Sequence, residues 1–451
     1  MRKSCLLLLL LVALDGWAQK DSVNQLSVGL NMMVHGEACG GGLPRGSNKD
    51  ADIPEDHSQF LLSRNRLVID YERKGLQTHA IVQNKYVWGM KGNQSLNLYE
   101  GWVKLSAPCG LFAQAGRIAL SYDDERIIGT NDFAMASQSH DVARVGFEGH
   151  GHKVHAILAY NQNSDEVYSG SYYANGAFEY KSMQTVWYHY DVPRFPLGVS
   201  LLFMNIGIQA GVPNKVNDQP RIEYQQMYGG YFLFSPRYLT LEGSYYRQGG
   251  TIANWKTNPD TGKKEYNGSM DLDAWMASIK ATISPSDRYG FELGYEYLSG
   301  DDYVAVVKPG SLGMAYHKSL KGFTPLYGSR TKFYGMMDYF YESAYINGFT
   351  PGLQNAYGGV FGTPVKGLQC KLLYHYLAVS TDLEKLNRTL GHSIELQASY
   401  RFSDDVTLNA GYTQMMGTET MDRLKQGIGN KQARWGWFSL VVSPSVFTTK
   451  W

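Results

Sequence analysis

The chain has 451 residues, 42 basic and 41 acidic side chains, and a formal net charge of +1. Charged residues make up 18%, below the roughly 25% of an ordinary soluble protein, and the 49 glycines exceed ordinary usage. The balanced charge excludes a nucleic-acid binder. No apolar run reaches the ~18 residues of a helical span, and the aromatic content excludes a disordered chain.

The N-terminus reads as an export signal. Arg2 and Lys3 are basic, residues 5–14 are apolar with six consecutive leucines, and Gly16-Trp17-Ala18 offers small residues at a cleavage site. Residues 1–18 are therefore expected to be a cleaved signal peptide, too short to span a bilayer, and residues 19–451 a single domain. Removing Arg2, Lys3 and Asp15 leaves the rest of the chain neutral. Cys39, Cys109 and Cys370 remain, an odd number, and no disulfide framework is expected.

From there on the informative period is two. In 60–73, Leu67, Ile69 and Tyr71 fall on one face and Arg64, Arg66, Asp70 and Glu72 on the other. In 237–248, Leu239, Leu241 and Tyr245 oppose Glu242, Ser244 and Gln248. In 271–284, Trp275, Ala277, Ile279 and Ile283 oppose Ser278, Lys280 and Thr282. In 391–402, Ile394, Leu396, Ala398, Tyr400 and Phe402 oppose Ser393, Glu395, Gln397, Ser399 and Arg401. A strand with lipid on one side and water on the other needs this pattern. Eight short turns, at 73–75, 107–110, 149–151, 192–196, 235–236, 284–287, 363–366 and 403–404, join strands into hairpins. The alternate connections are long and polar: 35–59, 89–95, 121–139, 162–181, 210–221, 249–269, 300–353, 380–390 and 417–431. With one strand before the hairpins (24–34) and one after (about 432–443), the count is 18. The prediction is an all-β fold: a transmembrane antiparallel β-barrel of about 18 strands, with short periplasmic turns and long extracellular loops, in the bacterial outer membrane. Residues 332–341 also look like a strand. An even barrel has no place for a nineteenth span, so they are assigned to the loop 300–353.

One segment is distinctive. Gly116-Arg117-Ile-Ala-Leu-Ser-Tyr-Asp-Asp-Glu-Arg-Ile-Ile-Gly-Thr-Asn-Asp-Phe133, followed by Asp141-Val-Ala-Arg-Val145, resembles the alginate-export family of outer-membrane barrels, departing from its pattern at Ile118, Asp123 and Phe133. Weaker matches lie at 62–67, 332–340 and 374–376. The resemblance implies an 18-stranded barrel through which a solute crosses the outer membrane.

Charge on the first six strands singles out one sector of the lumen. Arg64 and Arg66 share a face, Lys85 lies inward with Gln83, Glu100 and Lys104 share a face, and Arg144 lies inward with Glu148. Arg117 is placed inward on the face of Ala113, Ala115 and Ala119. Loop 121–139 brings Asp123, Asp124, Glu125 and Arg126 beside them. Two readings stand together: these groups bind an anionic or polyhydroxylated solute, or they form salt bridges pinning the loop to the wall. His150, His152 and His155 do not converge as metal ligands across a turn, and no metal or other cofactor is expected. No hydrolase triad, G-x-S-x-G elbow or phosphate loop is present, so an enzyme is not expected. An adhesin or structural barrel is the rival to a passive channel for a carbohydrate or organic anion. The expected partners are outer-membrane lipid and lipopolysaccharide, the barrel-assembly machinery and the solute, with no nucleic acid.

Overall fold

The computed structural model describes residues 23–41, 58–92, 94–133, 137–162, 180–210, 221–257, 264–301, 319–337, 340, 350–383, 386–425 and 429–451. The expected signal peptide lies outside the described residues. So do most of the connections 42–57, 163–179, 211–220 and 302–318.

The strand segments in chain order are β1 (Gln25–Gly41), β2 (Ser58–Arg73), β3 (Leu76–Val87), β4 (Gln94–Ser106), β5 (Leu111–Ile118), β6 (His140–Gly149) and β7 (His152–Tyr160). There follow β8 (Tyr180–Asp191), β9 (Leu197–Ala210), β10 (Arg221–Phe234), β11 (Leu239–Thr257), β12 (Lys264–Leu272), β13 (Ala274–Ser286) and β14 (Tyr289–Leu298). The last are β15 (Ser319–Leu320), β16 (Leu353–Val365), β17 (Leu368–Ala378), β18 (Thr389–Arg401), β19 (Val406–Gly417), β20 (Gln432–Val442) and β21 (Ser445–Lys450). A short helix, α1 (Glu419–Leu424), lies in the loop before β20, capped by the Thr418 side chain.

Of these 21 segments, three are not separate crossings. β12 and β13 are one strand broken at Asp273, since β11 pairs with each in turn. β20 and β21 are one strand broken at Ser443-Pro444, since both pair with β1. β15 is a two-residue parallel bridge to β12. Eighteen strands remain. Each is antiparallel to its neighbours, and β1 pairs with β2 on one side and with β20 and β21 on the other. The sheet is therefore a closed barrel, which leaves no unpaired edge in lipid. Pro444 sits where the register slips between Val28 and Gly29, so its missing N–H costs no ladder bond. Trp451 closes the seam, its N–H donating to the Asn24 carbonyl at 3.0 Å and its carbonyl accepting from Asn24 at 2.9 Å.

All eight expected turns join strands. The strands run longer than expected on the outer side: β1 continues to Gly41 and β11 to Thr257, so the connections 35–59 and 249–269 begin and end as sheet. On β2, β11, β13 and β18 the predicted faces hold. Leu67, Ile69, Ile279, Ile394 and Leu396 are exposed on the outside, while Arg64, Arg66, Ser244, Ser393 and Glu395 are buried on the inside. The three described cysteines form no disulfide. Among the described residues no helix is long and apolar enough to cross a membrane; the strands do the crossing.

Leu396, 50% exposed and flanked by Leu372 and Tyr412, sits midway along β18. Leu396→Arg should destabilise the barrel by about 2–4 kcal/mol, read as a lower denaturation midpoint in lipid vesicles.

Candidate functional site

Among the described residues two connections fold into the lumen. The first leaves β5 after Ile118 and runs inside the wall to Phe133. Its apolar side chains Leu120, Tyr122, Ile127 and Ile128 are all buried, in one cluster with Ile118, Val142, Ile157, Met183 and Met204 of the wall. These wall residues face inward, against the polar-inside pattern, because they form the bed for the loop. Each such aliphatic side chain contributes roughly 1.5–3 kcal/mol by leaving water.

The second connection is 319–337. Residues 332–337 lie in the lumen and not in the wall. A single 3₁₀ turn, Arg330–Lys332, is followed by a bend in which Tyr334, at a φ of +63°, is buried. The expectation that 332–341 stays outside the 18 spans holds for these residues. The remainder, apart from Phe340, lies outside the described residues. The two inner segments pair with each other. Gly129 N–H donates to the Tyr327 carbonyl at 2.9 Å, and Tyr327 N–H to the Ile127 carbonyl at 3.1 Å.

Buried charge fixes both segments to the wall. Arg126 donates from Nε to Asp124 at 3.1 Å and from Nη1 to Glu296 of β14 at 2.8 Å. Its guanidinium lies 3.9 Å from the Phe333 ring centre. Burial works against its charge, yet Tyr334, Glu296 and Asp124 around it raise its pKa well above the ordinary value. Glu296 also accepts from Tyr334 N–H at 3.2 Å and from Asn355 at 2.8 Å. Glu395 of β18 accepts from Met336 N–H at 2.7 Å. At the other end of the loop, Asp132 accepts from Arg64 Nη1 at 3.0 Å and Arg66 Nη1 at 2.8 Å. Burial raises the Asp132 carboxyl, but the two arginines outweigh it and hold its pKa below the usual aspartate value. Glu125 accepts from Ser121 and Ser329 and pairs with Lys332. Asp123 accepts from the Trp187 indole N–H at 3.1 Å, and its burial raises its pKa.

The residues expected to face the lumen divide into three groups. Arg64, Arg66, Asp123, Asp124, Glu125 and Arg126 all hold the inner segments, and only Asp124 and Arg126 also line the open cavity. Lys85 stands opposite Arg64, Glu100 accepts from Ala119 N–H at 3.2 Å, and Lys104 covers the Phe112 ring at 4.3 Å. Arg144 bonds Gln114 and, at 2.9 Å, the Tyr122 hydroxyl. This sector is filled by the loop. Arg117 is a correction. It points outward, beside exposed Leu98, Leu158 and Tyr160, and forms a bidentate pair with Asp141 at 2.8 and 2.7 Å. The face of Ala113 and Ala115 is the exterior. The face of Phe112 and Ile118 is the bed beneath the loop.

Open space lies along the opposite wall, none of whose own side chains was an expected site residue. A cavity of about 480 Å³ runs between the inner segments and β11, β13, β14, β16, β17 and β18. Below it, a chamber of about 850 Å³ reaches Ser286 and Asp287 at the short turn between β13 and β14, and Glu292, Lys371 and Gln397 line both. The charged side chains along this path are coupled. Glu242 pairs with Lys280, and Glu292 with Lys371 at 2.9 Å. Among the described residues no cluster of His, Cys, Asp and Glu could hold a metal ion.

No family model matches the sequence, and no curated protein matches it. The fold is similar to solved barrels. OpdL of Pseudomonas aeruginosa superposes with a TM-score of 0.58 at 12% identity, over 94% of this chain and 99% of that one. OccK2 (OpdF) of Pseudomonas aeruginosa gives 0.58 at 10% identity over 94% and 98%. OccAB1 of Acinetobacter baumannii gives 0.56 at 11% identity over 93% and 97%. The likeness covers nearly the whole of each chain and is one of fold.

Proposed function

We propose that the protein is a porin-like channel of the bacterial outer membrane, through which a small polar solute diffuses passively without covalent chemistry. The observation that carries this reading is the pair of adjoining cavities inside a closed barrel, both lined by Glu292, Lys371 and Gln397. They lead from a constriction built by two inward segments down to the periplasmic turns, past ionised side chains. A wall that is apolar outside and hydrated inside, with a loop narrowing it, has the parts that select and pass solutes. The likeness of 116–149 to alginate-export barrels, and the fold shared with the Opd and Occ proteins, support transport. Export through a cleaved signal peptide at residues 1–18 belongs to the same proposal. The buried pairs of Arg126, Arg64 and Arg66 support the pinning role for the N-terminal charges, and leave passage to the C-terminal half of the wall.

The refolded chain in a planar bilayer should show stepwise single-channel conductance. A correctly folded barrel that never conducts would rule the channel out and favour an adhesin or structural barrel.

A further inference from the structure

The inward face of β14 reads Gly290, Glu292, Gly294, Glu296. Each glycine lies under an aromatic ring of β16, its antiparallel neighbour. A Cβ on Gly290 would meet the Phe361 ring at 2.3 Å, and one on Gly294 the Tyr357 ring at 2.2 Å. Gly290 pairs with Phe361 and Gly294 with Tyr357 across the two strands. Without a side chain beneath them, both rings extend over the β14 backbone, and both line the open path. Tyr357 is backed by the His375 ring, 5.2 Å away and 22° from parallel. The two rings are four residues apart on one strand, roughly 13 Å at ~3.3 Å per residue. Between them stands the Glu292–Lys371 pair.

In the upper cavity the basic side chains are already paired, and Arg288 stands in the lining of the lower chamber. The upper cavity is lined by Arg126, Lys280, Lys332 and Lys371. Each is paired with a carboxylate: Glu296 and Asp124, Glu242, Glu125, and Glu292 respectively. Glu395 adds a further carboxylate. An anion would have to break one of these pairs and pass beside the carboxylate it displaced. A sugar hydroxyl, both donor and acceptor, hydrogen-bonds to both members of an ion pair without separating them. The apolar face of a sugar ring packs on a flat aromatic ring.

Resting on the channel reading, we infer that the β14–β16 wall is a binding track for an uncharged oligosaccharide, with Tyr357 and Phe361 as stacking platforms and Glu292–Lys371 as the hydroxyl-binding pair between them. The track is specific for neutral sugar over polyuronate.

The test is single-channel recording of the refolded chain with maltohexaose or hexagalacturonate in the bath. The channel should conduct with little preference between cation and anion, and maltohexaose should interrupt the current at concentrations where hexagalacturonate does not. Tyr357→Leu and Phe361→Leu should each weaken the maltohexaose block about 3- to 10-fold with the reversal potential unchanged. Glu292→Gln, which frees Lys371, should turn the channel anion-selective, and Lys371→Met should turn it cation-selective. Block by hexagalacturonate alone, or a maltohexaose block that neither ring substitution alters, overturns the neutral-sugar track and leaves the channel standing. A folded barrel without conductance overturns the channel reading and this inference with it.

Discussion

Arg126→Ala should enlarge the pore and loosen both inner segments at once. Arg126 is only 5% exposed, its partner Glu296 2%, and Asp124 12%. Removing the cation leaves Glu296 as a buried carboxylate held by Asn355 and the Tyr334 N–H, two neutral donors. Breaking one partner out of a buried pair costs about 3–5 kcal/mol. That free energy is lost from the junction where the first inner segment, the second and the wall meet, and not from the barrel ladder. The unitary conductance should therefore rise while the barrel still migrates as folded on unheated electrophoresis. Arg126→Lys should fall between wild type and alanine. An ammonium keeps the charge but cannot reach Asp124 and Glu296 with separate nitrogens while lying flat against Phe333. A conductance unchanged in Arg126→Ala would show that the segments are held by their apolar undersides alone.

The wall was readable from local pattern because lipid and water impose it locally. Leu67, Ile69 and Tyr71 alternate with Arg64, Arg66 and Asp70, and each turn carries residues that cannot continue a strand. The parity of β5 was misread because an inward loop needs an apolar bed. Phe112 and Ile118 look like lipid-facing residues, and Ala113 and Ala115 look like the small neighbours of a lumenal arginine. A single strand cannot distinguish lipid from a buried loop, and so Arg117 was placed on the wrong face. The aromatics of 332–337 looked like a strand for a related reason. Phe333 and Tyr334 are apolar because they are enclosed in the lumen beside Arg126.

The Gly-Glu alternation of 290–296 was present in the sequence. Its meaning depends on Tyr357, Phe361 and Lys371, which lie far along the chain and become its neighbours only through strand register. Arg64, Arg66 and Arg126 were correctly placed inside, but their partners Asp132 and Glu296 were not identified. Which carboxylate an inward arginine meets depends on how the loop folds back. The segment 116–133 is the most distinctive of the chain because it must satisfy both demands at once, burying apolar residues on one side and placing Asp124, Arg126 and Asp132 on the other.

The Asp132 anchor should make the pore acid-sensitive in a defined direction. Arg64 and Arg66 hold the Asp132 carboxyl below the ordinary aspartate range. A carboxylate whose pKa is depressed by folding gives its full stabilisation above the ordinary value of about 3.9 and loses it as pH falls through the depressed one. Acidification below about pH 4 should thus release the Phe133 end of the loop from β2 and raise conductance. The charges facing Asp132 are Arg64 and Arg66, with the Tyr99 hydroxyl nearby. Arg64 and Arg66 stay charged throughout this window, so release of this end of the loop belongs to Asp132, while Glu125, also held below the usual glutamate value, acts at the Ser329 and Lys332 contacts. Asp132→Asn keeps the shape, removes the charge, and leaves Arg64 and Arg66, 2% and 6% exposed, without their carboxylate. At neutral pH this variant should already conduct as the wild type does in acid, and the difference between the two should vanish as pH falls. If the two channels keep a constant difference across the acid range, the arginines hold the loop through Ser137 and the Asp132 carbonyl, to which Arg64 donates at 3.0 and 2.9 Å. The acid response would then arise elsewhere in the lumen.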